Sequence, residues 1–268
     1  MAIDILMPTL NSGKHLDEVL KAAESLIPVS QIIAADGDSK DGTLSILEAH
    51  GARVFPDGGS LGSARQVLID HATTPYFLML DSDVVLEKGD WYEEAMRDLD
   101  AGVGAVVLQM PIVKGPLQDF ISFYQRLGIG GGTTWFATMA TFFSKRALEG
   151  IHIPHELDGS EDLYIMFWLL GHGKTFKVIQ AGGIHYHSEN PAKGRWIGAG
   201  VRNLQKFIGW RKVFPLVMRN IVLYPFTVSF AAICTLNWPM EKFCMTLWWH
   251  YIQGYVSGEH AQSAKADW

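Results

Sequence analysis

Short apolar segments alternate with longer segments of mixed polarity through the first two-thirds of the chain. The apolar segments predict β-strands at 3–7, 31–35, 52–55 and 76–80. The segments between them predict helices at about 14–26, 43–50 and 63–72. Strands that alternate with helices at this spacing form βαβ units. The pattern therefore predicts an α/β fold, in which helices flank a mostly parallel sheet.

Further elements follow residue 80 with a less regular spacing. They are predicted as helices at 91–99 and 163–170 and as strands at 104–110, 136–144 and 177–180. The strand at 177–180 is expected to be the last one. The glycine-rich run Gly128–Gly132 is interpreted as a mobile loop.

The last third of the chain differs from the rest in its charge. No acidic residue lies between Asn190 and Met240, although the whole chain has a formal net charge of −6. The basic residues of this stretch are Lys193, Arg195, Arg202, Lys206, Arg211, Lys212 and Arg219. This asymmetry predicts two functional parts, residues 1–190 and residues 191–268.

The segment 195–208 predicts an amphipathic helix in this second part. Its basic face is formed by Arg195, Arg202 and Lys206. Its apolar face is formed by Ile197, Val201, Leu204 and Ile208. A helix of this kind lies flat on an anionic membrane surface, or it packs on the rest of the protein as a soluble appendage. We expect a peripheral or monotopic protein on the cytoplasmic side of a membrane.

Residues 221–240 carry no charge over 20 positions, but Pro225 and Pro239 make them a mediocre membrane span. An interfacial aromatic belt is predicted at Trp238, Trp248, Trp249, Tyr251 and Tyr255.

Other features of the composition exclude several classes of protein. With 268 residues and 48% hydrophobic residues, the chain is long and apolar enough for one large core. Cys234 and Cys244 form neither a disulfide framework nor a zinc-binding spacing. The N-terminal residues predict a first strand and not a signal peptide. We expect no nucleic-acid partner.

The strongest candidate for chemistry is the sequence Asp81-Ser82-Asp83, which follows the apolar strand at Phe77–Leu80. Open α/β sheets bind ligands at the carboxyl ends of their strands. Two carboxylates this close raise each other's pKa unless a cation lies between them. Mg²⁺ and Mn²⁺ prefer oxygen ligands and share them with substrate phosphates. The sequence therefore predicts a metal–diphosphate site, against the alternative of a solvated loop after a strand.

Several other motifs fall in order around this Asp-x-Asp (DXD) sequence. They are Pro8–Asn11, Asp36–Thr43, Gly62–Gln66, Phe142–Leu148 and the acidic pair Glu161-Asp162. Together they resemble the motifs of a family-2 glycosyltransferase of the GT-A fold over about the first 190 residues. The resemblance implies a Rossmann-like mixed sheet and the transfer of a sugar, with inversion, from a UDP- or GDP-sugar to a hydroxyl group. It also implies Mn²⁺ or Mg²⁺ as the cofactor.

The resemblance assigns donor-binding roles to residues at the ends of the first strands. Pro8, Thr9 and Asn11 form the turn beside the donor, and Asp36 contacts the base and ribose. The alternative for Asp36 is that it only shapes its turn. Arg65 lies in the first turn of a helix, where a phosphate or carboxylate partner would justify its charge, or it is a surface arginine.

The resemblance also assigns the metal and the catalytic base. Asp83 would bind the metal directly, and Asp81 would hold the ribose or a metal-bound water, with Ser82 between them at the donor. His185 and His187 alternate along one strand end and face the same way, so either suits a third metal ligand, or both are surface histidines with other partners. Asp162 is expected to be the general base, with Glu161 in reserve.

Some residues depart from the family pattern. Gly37 and Asp38 alter the nucleotide loop, Gln66 replaces an asparagine, and Trp168 stands where many members carry an arginine. The acceptor is expected to be lipid-linked. The alternatives are a polyprenyl-phosphate acceptor, which is already ionised and needs no base, a non-catalytic sugar-nucleotide or glycan-binding module, and a nucleotidyltransferase of related topology. The sugar, the nucleotide and the oligomeric state stay open.

Overall fold

The computed structural model describes residues 1–109, 116–127, 136–186 and 190–259. The strands are β1 Ile3–Thr9, β2 Val29–Asp36, β3 Arg53–Pro56, β4 Tyr76–Leu80, β5 Val84–Leu86, β6 Ala105–Gln109, β7 Ala140–Ser144, β8 Phe176–Gln180 and β9 Gly183–His185. The first six helices are α1 Leu16–Leu26, α2 Thr43–Ala49, α3 Leu61–His71, α4 Trp91–Asp100, α5 Pro116–Arg126 and α6 Glu161–Gly171. The last four are α7 Lys193–Ile208, α8 Trp210–Met218, α9 Tyr224–Thr235 and α10 Trp238–Ser257.

Seven strands form one sheet in the order β3-β2-β1-β4-β7-β6-β8. The strand β7 runs antiparallel to both of its neighbours, and the other pairs in this sheet are parallel. A second sheet pairs β5 with β9 in antiparallel fashion. The predicted α/β fold with a mixed, mostly parallel sheet is confirmed.

The central strands β1 and β4 are buried on both faces, which explains why their sequences are mainly apolar, with Asp4 as the buried charged residue of β1. Alternate residues point to opposite sides of the sheet. Ile5 and Met7 join the cluster beneath α1, whereas Leu6 packs with Leu68 and Phe77 on the α3 side. The carboxyl ends of these two strands therefore open at one edge, between the two layers of helices.

Two short strands were not expected from the sequence. The prediction that the strand near residue 180 is the last one is wrong, because β9 follows it. Three-residue strands such as β5 and β9 are too short to show a periodicity. Their pairing places Val84 opposite His185. The predicted strand at 136–144 begins only at Ala140, and the glycine-rich run 128–132 lies outside the described residues.

The helix α7 lies against α10 at backbone contact distance, and glycines make this possible. A Cβ atom at Gly198 would lie 2.0 Å from the carbonyl oxygen of Tyr251, and one at Gly194 would lie 2.1 Å from that of Leu247. On the other helix, a Cβ at Gly254 would lie 1.8 Å from the carbonyl oxygen of Arg195. Any side chain at these positions would push the two helices apart.

The faces of α7 agree only in part with the predicted amphipathic pattern, because Ile197 is 37% exposed and Arg195 is half-buried. Arg202 and Lys206 are exposed, as expected. Val201 and Leu204 are buried in a cluster with Leu157, Val213, Val217 and Tyr251. The expectation that this apolar face enters a membrane is wrong for Val201 and Leu204, because the protein itself covers them.

The uncharged segment 221–240 does not form one helix. Leu236 has a positive φ of 54°, and the side chain of Asn237 accepts a hydrogen bond from the Met240 amide at the start of α10. A continuous helical run lies earlier, from Trp210 to Thr235, with a π-helical turn at Arg219–Leu223. Among the described residues it is the one helix that is long and apolar enough to cross a membrane.

The close α7–α10 contact predicts that a glycine-to-alanine substitution destabilises the protein, which is the opposite of its usual effect in a helix. Alanine normally stabilises a helix by about 1 kcal/mol relative to glycine. Gly198→Ala should instead lower the free energy of unfolding by about 1–3 kcal/mol, because its methyl group overpacks the contact. Denaturant unfolding would measure this. The control is Gly171→Ala at the end of α6, where a Cβ has open space. A Gly198→Ala protein as stable as wild type would contradict the packing.

Candidate active site

The turns after β1 and β2 are held together by the carboxylate of Asp36. The Thr9 hydroxyl donates to Asp36 Oδ1 at 2.9 Å, and the Ser39 hydroxyl donates to the same atom at 2.6 Å. The Ser39 amide donates to Asp36 Oδ2 at 2.9 Å. Asn11, with a positive φ of 48°, accepts at its side chain from the Lys40 amide. Asp36 therefore shapes the turn and is 7% exposed, close to the half-buried Pro8 at the same sheet edge.

The Asp-x-Asp sequence leaves β4 at the same edge. The Asp81 amide donates to the Met139 carbonyl at 2.8 Å, which ties the turn to the segment before β7. The Ser82 hydroxyl donates to the Ser12 hydroxyl at 2.7 Å and so connects this turn with the β1 turn. The predicted donor-binding residues from three separate segments therefore lie at one sheet edge.

Arg65 lies beneath this edge and is only 1% exposed, which overturns the alternative of a surface arginine. Its Nη2 donates to Asp81 Oδ1 at 2.6 Å, and its Nε lies 3.8 Å from Glu161 Oε1. Burial disfavours the charge, but Asp81 and Glu161 outweigh it and raise the pKa of Arg65 above its usual value. The Nε and Nη1 atoms are buried without a hydrogen-bond partner in the described part of the chain.

The acidic pair at the start of α6 reaches the same arginine. Burial, together with the charge of Asp162, raises the pKa of Glu161 to about 8, against the opposing effect of Arg65. Burial also raises the pKa of Asp162 to about 6, although the Leu163 amide and Arg65 lower it. Glu161 is 4% exposed, whereas Asp162 is half-buried and can be approached. At neutral pH the pair therefore holds a protonated acid beside an ionised one.

The backbone before α6 is held in unusual conformations. Ser160 has a φ of 97°, a strained value for a residue with a side chain, and Gly159 before it has a φ of 124°. The Gly62 amide donates to the Leu157 carbonyl, and the Leu61 amide donates to Asp158 Oδ1, both at 2.9 Å. These bonds fix the acidic pair relative to the α3 helix that carries Arg65.

The β5–β9 pairing brings one predicted histidine to the Asp-x-Asp sequence. His185 Nε2 lies 3.4 Å from Asp83 Oδ2, and the Tyr186 amide donates to the Asp83 carbonyl at 2.9 Å. His187 lies outside the described residues. Within the ranges that the structure describes, no three His, Cys, Asp or Glu side chains form a ready metal cage. Asp83 and His185 offer one carboxylate and one imidazole, which suit Mn²⁺.

Some residues at this edge were not expected from the sequence. Ser12 and Ser39 hydrogen-bond Ser82 and Asp36, and their position in polar turns beside the motifs was the only available signal. His15 stacks on Tyr186 with ring centroids 3.9 Å apart. No local pattern predicts this pair, because its members come from distant parts of the chain.

Comparison with known proteins gives a family match, a sequence match over part of one protein, and matches to solved structures. The family model "Glycosyl transferase family 2" matches residues 4–156. The glycosyltransferase AglJ of Haloferax volcanii is 36% identical over 91 residues, which cover 33% of this chain and 30% of that protein. The match therefore spans less than a third of that relative.

Solved structures share the fold at low sequence identity. The mannosyltransferase PcManGT from Pyrobaculum calidifontis, in complex with GDP-Man and Mn²⁺, is 16% identical with a TM-score of 0.69, covering 95% of this chain and 86% of that one. Glucosyl-3-phosphoglycerate synthase from Mycobacterium tuberculosis, with Mn²⁺, UDP and glucosyl-3-phosphoglycerate, is 19% identical with a TM-score of 0.57, covering 76% of this chain and 79% of that one.

These results agree with the geometry of the sheet edge. The family match covers more than half of the 268 residues. The described fold is that of GT-A glycosyltransferases, with a mostly parallel sheet and a C-terminal helical extension. The chain belongs to glycosyl transferase family 2.

Proposed function

We propose that the protein transfers a sugar from a UDP- or GDP-sugar to a hydroxyl group, with inversion and with Mn²⁺ or Mg²⁺ as cofactor. The observation that carries this proposal is the buried Arg65, which contacts Asp81 of the Asp-x-Asp sequence and Glu161 of the acidic pair. The proposed donor motif and the proposed acceptor motif would then be parts of one site.

The donor would lie across the carboxyl ends of β1, β2 and β4. Asp36 and Thr9 would contact the base and ribose, beside Pro8 and Asn11. One similar structure contains GDP-Man and another contains UDP. Both a GDP-sugar and a UDP-sugar are therefore proposed as possible donors. The first 190 residues would form the catalytic part, with the residues after them as a second functional part.

The metal would be held by Asp83 and His185, with Asp81 next to it. The residues fit a divalent ion, since carboxylate and imidazole are ligands that Mn²⁺ accepts and donor phosphates would supply the others. When bound, the ion supplies positive charge for the leaving diphosphate. Mn²⁺ accompanies the nucleotide in both similar structures.

The geometry favours Asp162 over Glu161 as the general base. A base must be ionised and must reach the acceptor hydroxyl. Glu161 is buried against Arg65 and has the higher pKa, whereas Asp162 is more accessible and has the lower one. Asp162 would take the hydroxyl proton while the acceptor oxygen bonds to the anomeric carbon. The bond from that carbon to the diphosphate oxygen breaks in the same displacement, which inverts the configuration.

We also propose a lipid-linked acceptor and a position on the cytoplasmic side of a membrane. The support is the absence of acidic residues from 190 to 240 and the long apolar run Trp210–Thr235. Basic charge next to exposed apolar surface is typical of proteins that bind anionic lipids.

The metal assignment predicts that Asp83→Ala abolishes both transfer and metal-dependent nucleotide binding. Calorimetric titration of UDP and GDP, with and without Mn²⁺, would measure the binding. The matched control is Asp70→Ala, which removes an exposed carboxylate from α3 and should change neither quantity. Unchanged Mn²⁺ dependence in the Asp83→Ala protein would show that the assignment is wrong.

The assignment of the base predicts a separate effect at Asp162. Asp162→Asn should lower turnover by about 10²–10⁴-fold and leave donor binding intact, because the amide cannot take a proton. Steady-state kinetics with donor titration would separate the two effects. Near-normal turnover would move the base to Glu161, or would favour the phosphate acceptor, which needs no base.

The raised pKa of Asp162 predicts the pH dependence of turnover. The carboxyl is protonated below its pKa of about 6 and is then inactive as a base. Turnover should therefore rise with pH through about 6 and level off above it. A pH–rate profile of the wild type would show this step. A profile that is flat from pH 5 to pH 8 would exclude a base with this pKa.

A further inference from the structure

The helical run Trp210–Thr235 carries a strip of exposed apolar side chains. This apolar ridge consists of Trp210, Phe214, Met218, Val222, Phe226, Phe230 and Ile233. Its residues are between 39% and 73% exposed. Successive members are three or four positions apart, so they are neighbours on the helix surface. Soluble monomers rarely expose a large contiguous apolar patch, and such patches mark binding surfaces.

The π-helical turn at Arg219–Leu223 helps to keep the ridge on one side. In an α-helix, residues four apart drift around the axis by about 40° per step. Hydrogen bonds from i to i+5 widen the turn, so each residue advances less around the axis. The five residues of the π-helical turn therefore reduce the rotation of the ridge around the helix axis. As a result, the ridge continues from α8 to α9.

The opposite side of the same run packs on the protein. Val213 and Val217 lie in the cluster with Val201 and Leu204 of α7. Further along, Val228, Ala231 and Ala232 pack with Met240 and Cys244 of α10. A helix that crossed a bilayer in this arrangement would draw the charged residues of α7 into hydrocarbon, where they are costly. The geometry therefore fits a helix that lies in the plane of a membrane surface.

The basic side chains beside the ridge favour a membrane with anionic headgroups. Arg211, Lys212 and Arg219 are exposed on the same run, and no acidic residue occurs between 190 and 240. One acidic side chain, Glu241, accepts a hydrogen bond from Ser229 of α9. Exposed basic residues near a membrane attract anionic headgroups and contribute to binding at low salt.

We propose that the apolar ridge inserts into one leaflet of an anionic membrane, with α8 and α9 lying parallel to its surface. The buried side of α8 packs in the cluster that contains Leu157, Leu163 and Tyr164, which flank the acidic pair. The ridge would thus bring the acceptor side of the active site to the membrane. In this respect the inference deepens the proposed function and rests on its lipid-linked acceptor.

Sedimentation of the full-length chain with vesicles tests the proposal. Vesicles of phosphatidylglycerol and phosphatidylcholine should carry the wild type into the pellet at low salt, and pure phosphatidylcholine should carry less. The double variant Phe226→Asp/Phe230→Asp should bind the anionic vesicles more than about tenfold more weakly, because two inserted rings are lost. If it does not fold, Phe226→Asp alone, at a position that is 73% exposed, should still weaken binding clearly.

The control is Val54→Asp, which adds the same charge at an exposed apolar residue of the edge strand β3 and should keep wild-type binding. The charge reversal Arg211→Glu/Lys212→Glu should weaken binding at low salt and have little effect at high salt. Hydrolysis of a soluble UDP- or GDP-sugar by the ridge variants should equal that of the wild type. A wild type that binds vesicles but no nucleotide would refute the proposed function and would still support the insertion of the apolar ridge into a membrane.

Three results would overturn the proposal. The wild type could stay in the supernatant with both kinds of vesicle. It could form a dimer in sedimentation equilibrium that Phe226→Asp dissociates, in which case the ridge binds a second copy of the chain. Finally, detergent could be needed to extract the protein from cell membranes, with no release by alkaline carbonate. That result would show a helix that spans the membrane.

Discussion

The structure depends on one buried charge, the guanidinium of Arg65. A cation that is only 1% exposed is tolerated only when anionic partners replace the water it has lost. Asp81 supplies the carboxylate that Arg65 hydrogen-bonds, and the Glu161 carboxyl lies 3.8 Å from Arg65 Nε. Asp81 and Glu161 belong to segments that are far apart in the sequence. Their contacts with Arg65 therefore fix α3, the end of β4 and the start of α6 in one arrangement. The same arrangement raises the pKa of Glu161 and separates it from that of Asp162.

The C-terminal helices take part in this arrangement. A Cβ atom at Gly200 of α7 would lie 1.5 Å from the Gly159 carbonyl oxygen, and the Trp196 ring lies directly against Gly159. The strained segment before the acidic pair is thus pressed between α3 and α7. A displacement of the C-terminal helices would therefore reach the acidic pair through this segment.

The sequence predicted what depends on local patterns. Strand β4 was placed correctly from its apolar run, and the polar turns after β1, β2 and β4 were found as candidate site segments. The burial of Arg65 was not predicted, since an arginine in a helix is usually exposed and its two partners are remote. The partner of the apolar face of α7 was also missed, because it is supplied by α10 and by residues 157–164. Pro239 was used to judge 221–240 a mediocre membrane span, but Asn237 followed by Pro239 was not interpreted as the start of a new helix.

The proposed function requires that a nucleoside diphosphate and a divalent metal share the site at the edge of β1, β2 and β4. Thermal unfolding of the wild type with UDP or GDP, in the presence and absence of Mn²⁺, tests this claim most directly. One nucleotide at 100 times its Kd should stabilise the folded protein by about 2.7 kcal/mol when Mn²⁺ is present, and by much less without it. Equal stabilisation without Mn²⁺, or none by either nucleotide, would contradict the claim.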